Sequence, residues 1–359
     1  MNRNSGLLRE MVTKTPTELW NDSCSVKELQ FSMENGAVGA TTNPVIVGNV
    51  LQKEMDLWEE RIRNIVASNP RKNEVDLTWK LIEEMAINGA RLLKPVFDEH
   101  KGKKGRISVQ TNPQNYMSSD LMTEQALYLS SLAPNIQVKI PVTRAGLETI
   151  EEITYNGVHV NATVCFSVPQ SIAAAEAVER GLSRRKHAGK EVANMHPVCT
   201  IMVGRLDDWL KTLAKKEETV IDPGYLEWAG IAVVKRAYKI FHDRRYQTKL
   251  LVGAFRNFMQ WNELLGGDLI ITATHEWQQI FDRSALPIKN NIDTPVDPRI
   301  VSTLEKSFDD FKKAYDPAGM REEAFDQYGA TRRTLRQFLS GYQDLISKVR
   351  DFMLSNPDL

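Results

Sequence analysis

The sequence predicts a (β/α)₈ barrel, and three observations carry that prediction. Eight short, apolar, β-branched runs recur between longer stretches of helical spacing, the alternation of a parallel sheet covered by helices. No G-x-G-x-x-G follows the first run, which argues against an open dinucleotide-binding sheet. The 359 residues leave room for a barrel, which commonly takes about 250, and a tail.

The strand runs fall at 17–20, 37–42, 106–110, 137–142, 159–164, 198–203, 249–255 and 269–273. The first joins Leu19 and Trp20 and is followed by Asn21-Asp22; the second ends at Thr42 and is followed by Asn43. Helical period follows over 45–67 and 75–99, then over 121–132 after the third run and 145–155 after the fourth. Later runs are followed by helical spacing at 169–180, 225–243, 257–265 and 276–281. Residues 1–285 therefore read as one barrel domain. The segment 286–298 carries three prolines with several Asn and Asp residues and reads as a surface connection. Helical spacing at 299–315 and 331–352 makes 286–359 a linker and helical extension packed on the barrel, because about 60 residues alone bury a marginal core.

Composition excludes several classes. Forty-six Lys and Arg balance 46 Asp and Glu, so no excess positive charge exists to neutralise a nucleic acid. No run approaches the roughly 18 apolar residues of a membrane span, and Arg3, Arg9 and Glu10 interrupt the start, so the expected location is the cytoplasm. Cys24, Cys165 and Cys199 are an odd, widely spaced set that reads as buried thiols. The six histidines show no H-x-x-x-H or H-E-x-x-H spacing, so no metal site is expected, and no G-x-S-x-G is present. Gly189-Lys190 resembles a phosphate loop only in part, because Glu191 replaces the Ser or Thr.

Barrel active sites sit at the C-terminal strand ends, which nominates Asp22, Thr42, Asn43, Gln110, Lys139, Asn161, Thr163, Thr200, Arg205 and Arg256. Lys139 interrupts the apolar run Val138-Lys139-Ile140-Pro141-Val142. Burial disfavours an ammonium, and a neutral amine attacks carbonyl carbon to form a Schiff base. The same lysine could instead snorkel or pair with a carboxylate. Asp22 suits a general base at the mouth, or, with Ser23, a helix cap. Arg205 and Arg256 each follow a strand end and together suit an oxyanion, although either could serve a surface ion pair.

The segments Gly39-Ala40-Thr41-Thr42-Asn43-Pro44, Val138-Lys139-Ile140-Pro141, Val160-Asn161-Ala162-Thr163-Val164-Cys165-Phe166-Ser167, Val203-Gly204-Arg205 and Phe255-Arg256-Asn257 resemble the transaldolases, class I Schiff-base enzymes on a (β/α)₈ barrel. The resemblance covers about 17–281, and the tail is similar to that of longer bacterial members. It implies a metal-independent transferase of carbohydrate metabolism and the pentose phosphate pathway, with no cofactor. Its partners would be a ketose donor and an aldehyde acceptor, the sugar anionic, and the usual state a homodimer. It implies Lys139 as nucleophile, Asp22 as the base at the C4 hydroxyl, and Thr163 as positioning a water. Thr42, Asn43, Asn161 and Thr200 would bind the sugar, with Arg205 and Arg256 at its anionic end.

Three residues depart from that pattern. Gln110 stands where transaldolases usually carry a Glu and where the related fructose-6-phosphate aldolases carry Gln; it orients a water but does not titrate. Met202 replaces a Phe, or the Tyr of those aldolases, and Ala254 replaces a phosphate-binding Ser. A sulfonated sugar is therefore an alternative to a phosphate. Two other readings compete: net aldol cleavage releasing dihydroxyacetone, and a non-catalytic barrel that binds sugar phosphate.

Overall fold

The computed structural model describes residues 6–284, 286–354 and 357. Eight parallel strands close into a barrel in chain order: β1 (Glu18–Asn21), β2 (Ala37–Thr41), β3 (Arg106–Gln110), β4 (Ile136–Pro141), β5 (Val160–Cys165), β6 (Val198–Met202), β7 (Lys249–Gly253) and β8 (Ile270–Ala273). Closure runs through the β1–β8 pairs, from Glu18 opposite Ile270 to Asn21 opposite Ala273. Every strand read from the sequence is present. The largest difference is β7, which stops at Gly253 because Ala254 turns into the left-handed region at φ 62°.

Helices differ more. The stretch 45–67 is two helices, Pro44–Lys53 and Met55–Ser68, broken at Glu54, whose buried carboxylate accepts Ser25 Oγ at 2.5 Å. The stretch 225–243 is also divided, at Pro223–Leu226 and Ala229–Arg244. Three helices escape the periodicity argument: Leu7–Lys14, Val26–Glu34 and Val203–Lys216. The third starts directly on the end of β6, with no capping side chain and a glycine at its second position, so its first turn reads as strand.

Inward side chains divide the barrel interior into two zones. Trp20, Val198, Leu251 and Ile270 fill the lower part with apolar contact. Gly39 makes room there: a Cβ at this position would lie 2.4 Å from the Trp20 indole. Above that plug the interior is polar. Thr200 Oγ1 donates to Asn161 Oδ1 at 2.6 Å, Asn161 Nδ2 to Ser108 Oγ at 3.0 Å, and Ser108 Oγ to Gln137 Oε1 at 2.8 Å. The Gln137 amide then donates to the carbonyls of Val160 and His196, so the polar groups along this chain of side chains are answered.

Residues 286–297 form an extended connection, followed by the helices Pro298–Ser307, Asp309–Tyr315 and Gly329–Met353. The last buries Thr331, Thr334, Leu335, Phe338, Tyr342, Leu345, Ile346 and Val349, spaced as one helical face. That face packs across the barrel's upper flank, where Trp79 Nε1 donates to Tyr342 OH at 2.8 Å and Arg350 Nε to Glu74 Oε2 at 2.6 Å. Gln170 ties it to the strand ends: its amide nitrogen donates to Thr331 Oγ1 at 3.2 Å and to the Val164 carbonyl at 3.3 Å. Val164 lies in a β5 irregularity at φ 56°, a conformation that costs a β-branched residue about 1–3 kcal/mol. No helix among the described residues is long and apolar enough to cross a membrane.

Candidate active site

A cavity of about 280 Å³ opens at the C-terminal strand ends. Six of the ten nominated residues line it: Asp22, Asn43, Lys139, Thr200, Arg205 and Arg256. Strand parity puts Lys139 there, since Gln137 two residues earlier already points into the barrel. Its side chain is 5% exposed, and Nζ has one hydrogen-bond acceptor, the Thr42 carbonyl at 3.5 Å. Burial lowers the amine's pKa; the neighbouring Asp22 carboxylate opposes this and Arg205 reinforces it. Burial favours the neutral amine, and among the described residues no carboxylate is hydrogen-bonded to Nζ.

Asp22 is not a helix cap. Ser25 takes that role, accepting the Glu28 amide at 3.2 Å, and the Asp22 carboxylate instead accepts Thr41 Oγ1 at 2.6 Å. Burial raises its pKa, against the pull of Lys139 and the Thr41 hydrogen bond. Thr41 in turn lies 3.0 Å from Thr272 Oγ1. Asn43 caps the helix Pro44–Lys53 through Oδ1, which accepts the Ile46 amide at 3.0 Å.

The other four nominated residues lie outside this lining. Gln110 is opposite Lys139 in the β3–β4 register, and Thr163 is opposite Pro141 on β5. Both are buried, and Gln110 Oε1 and Thr163 Oγ1 have no protein partner. Asn161, opposite Lys139 on the other side, has both ends of its carboxamide committed to Thr200 and Ser108. Thr42 gives the site its carbonyl; its buried hydroxyl has no hydrogen-bond partner and is not part of the lining. Thr41 occupies the inward position instead, a parity that Gly39 beneath Trp20 already fixes.

Arg205 and Arg256 line the same cavity, and the Arg205 charge is felt by both Lys139 and Asp22. Burial and the nearby Arg256 push the Arg205 guanidinium down to about 10. Arg205 is gripped by the last helix: Nη1 donates to Gln337 and to Thr334 Oγ1, and its carbon lies 5.4 Å from the Phe338 ring centre. Its Nε is buried without a protein partner. Arg256 pairs with Asp208 through Nε at 2.9 Å and Nη2 at 2.8 Å, while Nη1 donates to the Ala254 carbonyl at 2.9 Å. Gly204 is obligatory at this crossing, because a Cβ would lie 2.3 Å from that carbonyl.

Phe338, Trp277, Thr41 and Thr272 also line the cavity and were not nominated from the sequence. Phe338 belongs to the buried face of a distant helix, and periodicity revealed that face without the strand ends it meets. Met202 and Ala254, the two departures, line the cavity as well. Elsewhere, Cys24, Cys165 and Cys199 are free and buried, and burial pushes the Cys24 thiol up to about 12. Lys190 lies 3.9 Å over the Tyr155 ring, consistent with a surface loop. Among the described residues, no group of three or more His, Cys, Asp or Glu side chains is arranged to hold a metal ion.

The arrangement joins an amine poised for carbonyl attack, a carboxylate in the same cavity and two guanidinium groups for an anion. Comparison with known proteins agrees. The family model "Transaldolase/Fructose-6-phosphate aldolase" matches residues 19–345, which takes in most of the last helix as well as the barrel. Transaldolase 1 of Streptomyces avermitilis is 27% identical over 265 residues, 70% of this chain and 69% of its own length. The transaldolase of Thermobifida fusca is 28% identical over 249 residues, covering 66% of this chain and 67% of the relative. That of Mycolicibacterium smegmatis is 28% identical over 237 residues, covering 63% and 62%. With a closed barrel, a strand-borne lysine and a match running almost the whole chain, the protein belongs to the transaldolase/fructose-6-phosphate aldolase family.

Proposed function

We propose that the enzyme transfers a dihydroxyacetone unit from an anionic ketose to an aldehyde, most simply from fructose 6-phosphate to erythrose 4-phosphate. The observation that carries this reading is Lys139: a buried amine with lowered pKa and no ion-pair partner, sharing one cavity with Asp22 and two arginines. Lys139 adds to C2 of the ketose, and loss of the former carbonyl oxygen as water leaves an iminium. Asp22 removes the C4 hydroxyl proton; the C3–C4 bond breaks, its electrons pass into the iminium, and an aldehyde departs. The enamine left on Lys139 then attacks the second aldehyde, which recovers the proton, and hydrolysis frees the new ketose and the amine.

Gln110 and Thr163, with their unpartnered oxygens near Lys139, suit the water that moves protons between these steps. Asn43 keeps its amide NH₂ for a hydroxyl of the three-carbon unit, and Thr200 offers its hydroxyl from the cavity wall. Asn161 chiefly fixes Thr200, and Thr42 acts through its carbonyl. Arg205 and Arg256 bind the anion. We further place the enzyme in the cytoplasm as a homodimer, which fractionation and sedimentation of the native protein test.

Coupled assay of fructose 6-phosphate with erythrose 4-phosphate tests the transfer; glyceraldehyde 3-phosphate formed only when acceptor is present supports it. One observation favours a second reading: Gln110 beside Lys139 is the residue type of the aldolases. Free dihydroxyacetone released at the same rate with and without acceptor would establish net cleavage instead.

A further inference from the structure

Asp207 lies two residues beyond Arg205, fully buried, and no Lys or Arg among the described residues is ion-paired to it. Its Oδ1 accepts the Gly230 amide at 2.8 Å, and its Oδ2 accepts the side-chain amide nitrogen of Gln260. The other end of that carboxamide, Oε1, accepts the backbone N–H of Arg256 at 2.6 Å. Asp207 and Asp208, adjacent in one helix, therefore hold Arg256 from two sides: Asp208 by its guanidinium, and Asp207 through Gln260 by its main chain.

We propose that Asp207 is a positioning residue for the anion grip: in its ionised form it fixes the orientation of the Gln260 carboxamide that holds the Arg256 main chain. The inference rests on the functional reading above and adds a proton-dependent control to it. Both neighbours of the carboxylate are donors, so the chain of bonds is complete only when Asp207 carries no proton. A protonated Asp207 needs an acceptor, and the acceptor it can reach is Gln260 Oε1, after the carboxamide turns over. The turned amide then points NH₂ at the Arg256 N–H, donor against donor, and that bond is lost.

Burial of the carboxylate, more than the charges around it, places this change near neutrality. On its own helix lie Arg205, Asp208 and Lys211; the turn before the helix Ala229–Arg244 brings Glu227, and the β7 end brings Arg256. Burial pushes the carboxyl up to about 7; the two hydrogen bonds and Lys211 oppose that, and Glu227 adds to it. The grip is therefore whole above that value and loosened below it.

Calorimetric titration of the full-length enzyme with inorganic phosphate reads the grip without turnover. D207N keeps an acceptor for Gly230 but offers NH₂ to Gln260, so it resembles the protonated state at every pH. It should weaken phosphate binding about tenfold at pH 8, the loss of one hydrogen bond supporting a charged group. The ratio of variant to wild-type Kd should fall toward one by pH 6; the titration of phosphate itself is common to both proteins and cancels in that ratio. Kinetics with D-glyceraldehyde as acceptor should show KM for fructose 6-phosphate rising to match, with kcat and the constants for neutral fructose within about twofold. Q260M removes the relay while leaving Asp207 in place and should give the same weakening, which decides the matter if D207N folds poorly. Unchanged phosphate affinity in Q260M, a ratio independent of pH, or equal losses for fructose and fructose 6-phosphate would overturn the proposal. Failure of wild-type turnover would count against the functional reading, while the phosphate titration would still decide the role of Asp207.

Discussion

The lysine corner and the arginine pair share one cavity but are supported differently. Lys139, Gln110 and Thr163 project from barrel strands, Thr163 from the irregular end of β5, and Asp22 directly follows a strand, anchored by a threonine on the neighbouring one. The shifted pKa values of Lys139 and Asp22 come from burial, a property of the barrel itself. Arg205 and Arg256 stand just beyond strand ends and are aimed by residues far away in sequence: Gln337, Thr334 and Phe338 for the first, Asp208 and Gln260 for the second. Chemistry and binding should accordingly respond to different substitutions.

The sharpest division is expected at Lys139. Lys139→Met should abolish turnover, a loss of at least about 10³-fold in a covalent mechanism. Its thermal midpoint should not fall, because a buried amine is replaced by an apolar chain of similar length. Phosphate binding should survive, separating the two sides directly.

Asp22→Asn should lower kcat by about 10²- to 10⁴-fold, the usual contribution of a general base, with KM little changed. The wild-type pH profile follows from both groups. In the proposed mechanism Lys139 works as the neutral amine, and its lowered pKa extends that form below the ordinary lysine range. In the same mechanism Asp22 works ionised, and its pKa is raised, so it is lost at higher pH than an ordinary aspartate. Both losses occur as pH falls; kcat/KM for a neutral ketose should decline on the acid side. A profile that instead declined toward alkali between pH 7 and 9 would contradict this assignment.

At the arginine pair, Gln337→Leu should raise KM for fructose 6-phosphate about tenfold while leaving kcat within about twofold. Equal effects on a neutral donor would mean that the last helix acts through stability alone. The smallest change is expected from Ala254→Ser, which adds a donor on the cavity wall and should lower the same KM a few-fold, in line with about 0.5–1.5 kcal/mol per hydrogen bond. The gain is limited by the left-handed backbone at this residue.

The same contrast governs what the sequence disclosed. The eight strands and their lysine were readable because short apolar, β-branched runs and an isolated charge are local signals. Thr41 was passed over for Thr42 because adjacent residues of a strand point to opposite faces and the parity depends on Gly39 and Trp20. The helix Val203–Lys216 was hidden by a start with no cap and a glycine in its first turn, and with it the reason Asp207 and Asp208 follow Arg205. Phe338 and Gln337 carry no local mark of function, and only tertiary packing brings them to Arg205. The zero net charge excluded a polyanion partner, yet it concealed a concentrated positive site whose balancing carboxylate, Asp208, lies within the same helix.

The central claim is that Lys139 forms the covalent intermediate. Borohydride reduction in the presence of fructose 6-phosphate, followed by peptide mass analysis, tests it most directly. The account predicts a reduced three-carbon adduct on the peptide containing Lys139 and none on the Lys139→Met variant. An adduct on a different lysine, or an unmodified wild-type chain with every ketose offered, would contradict it.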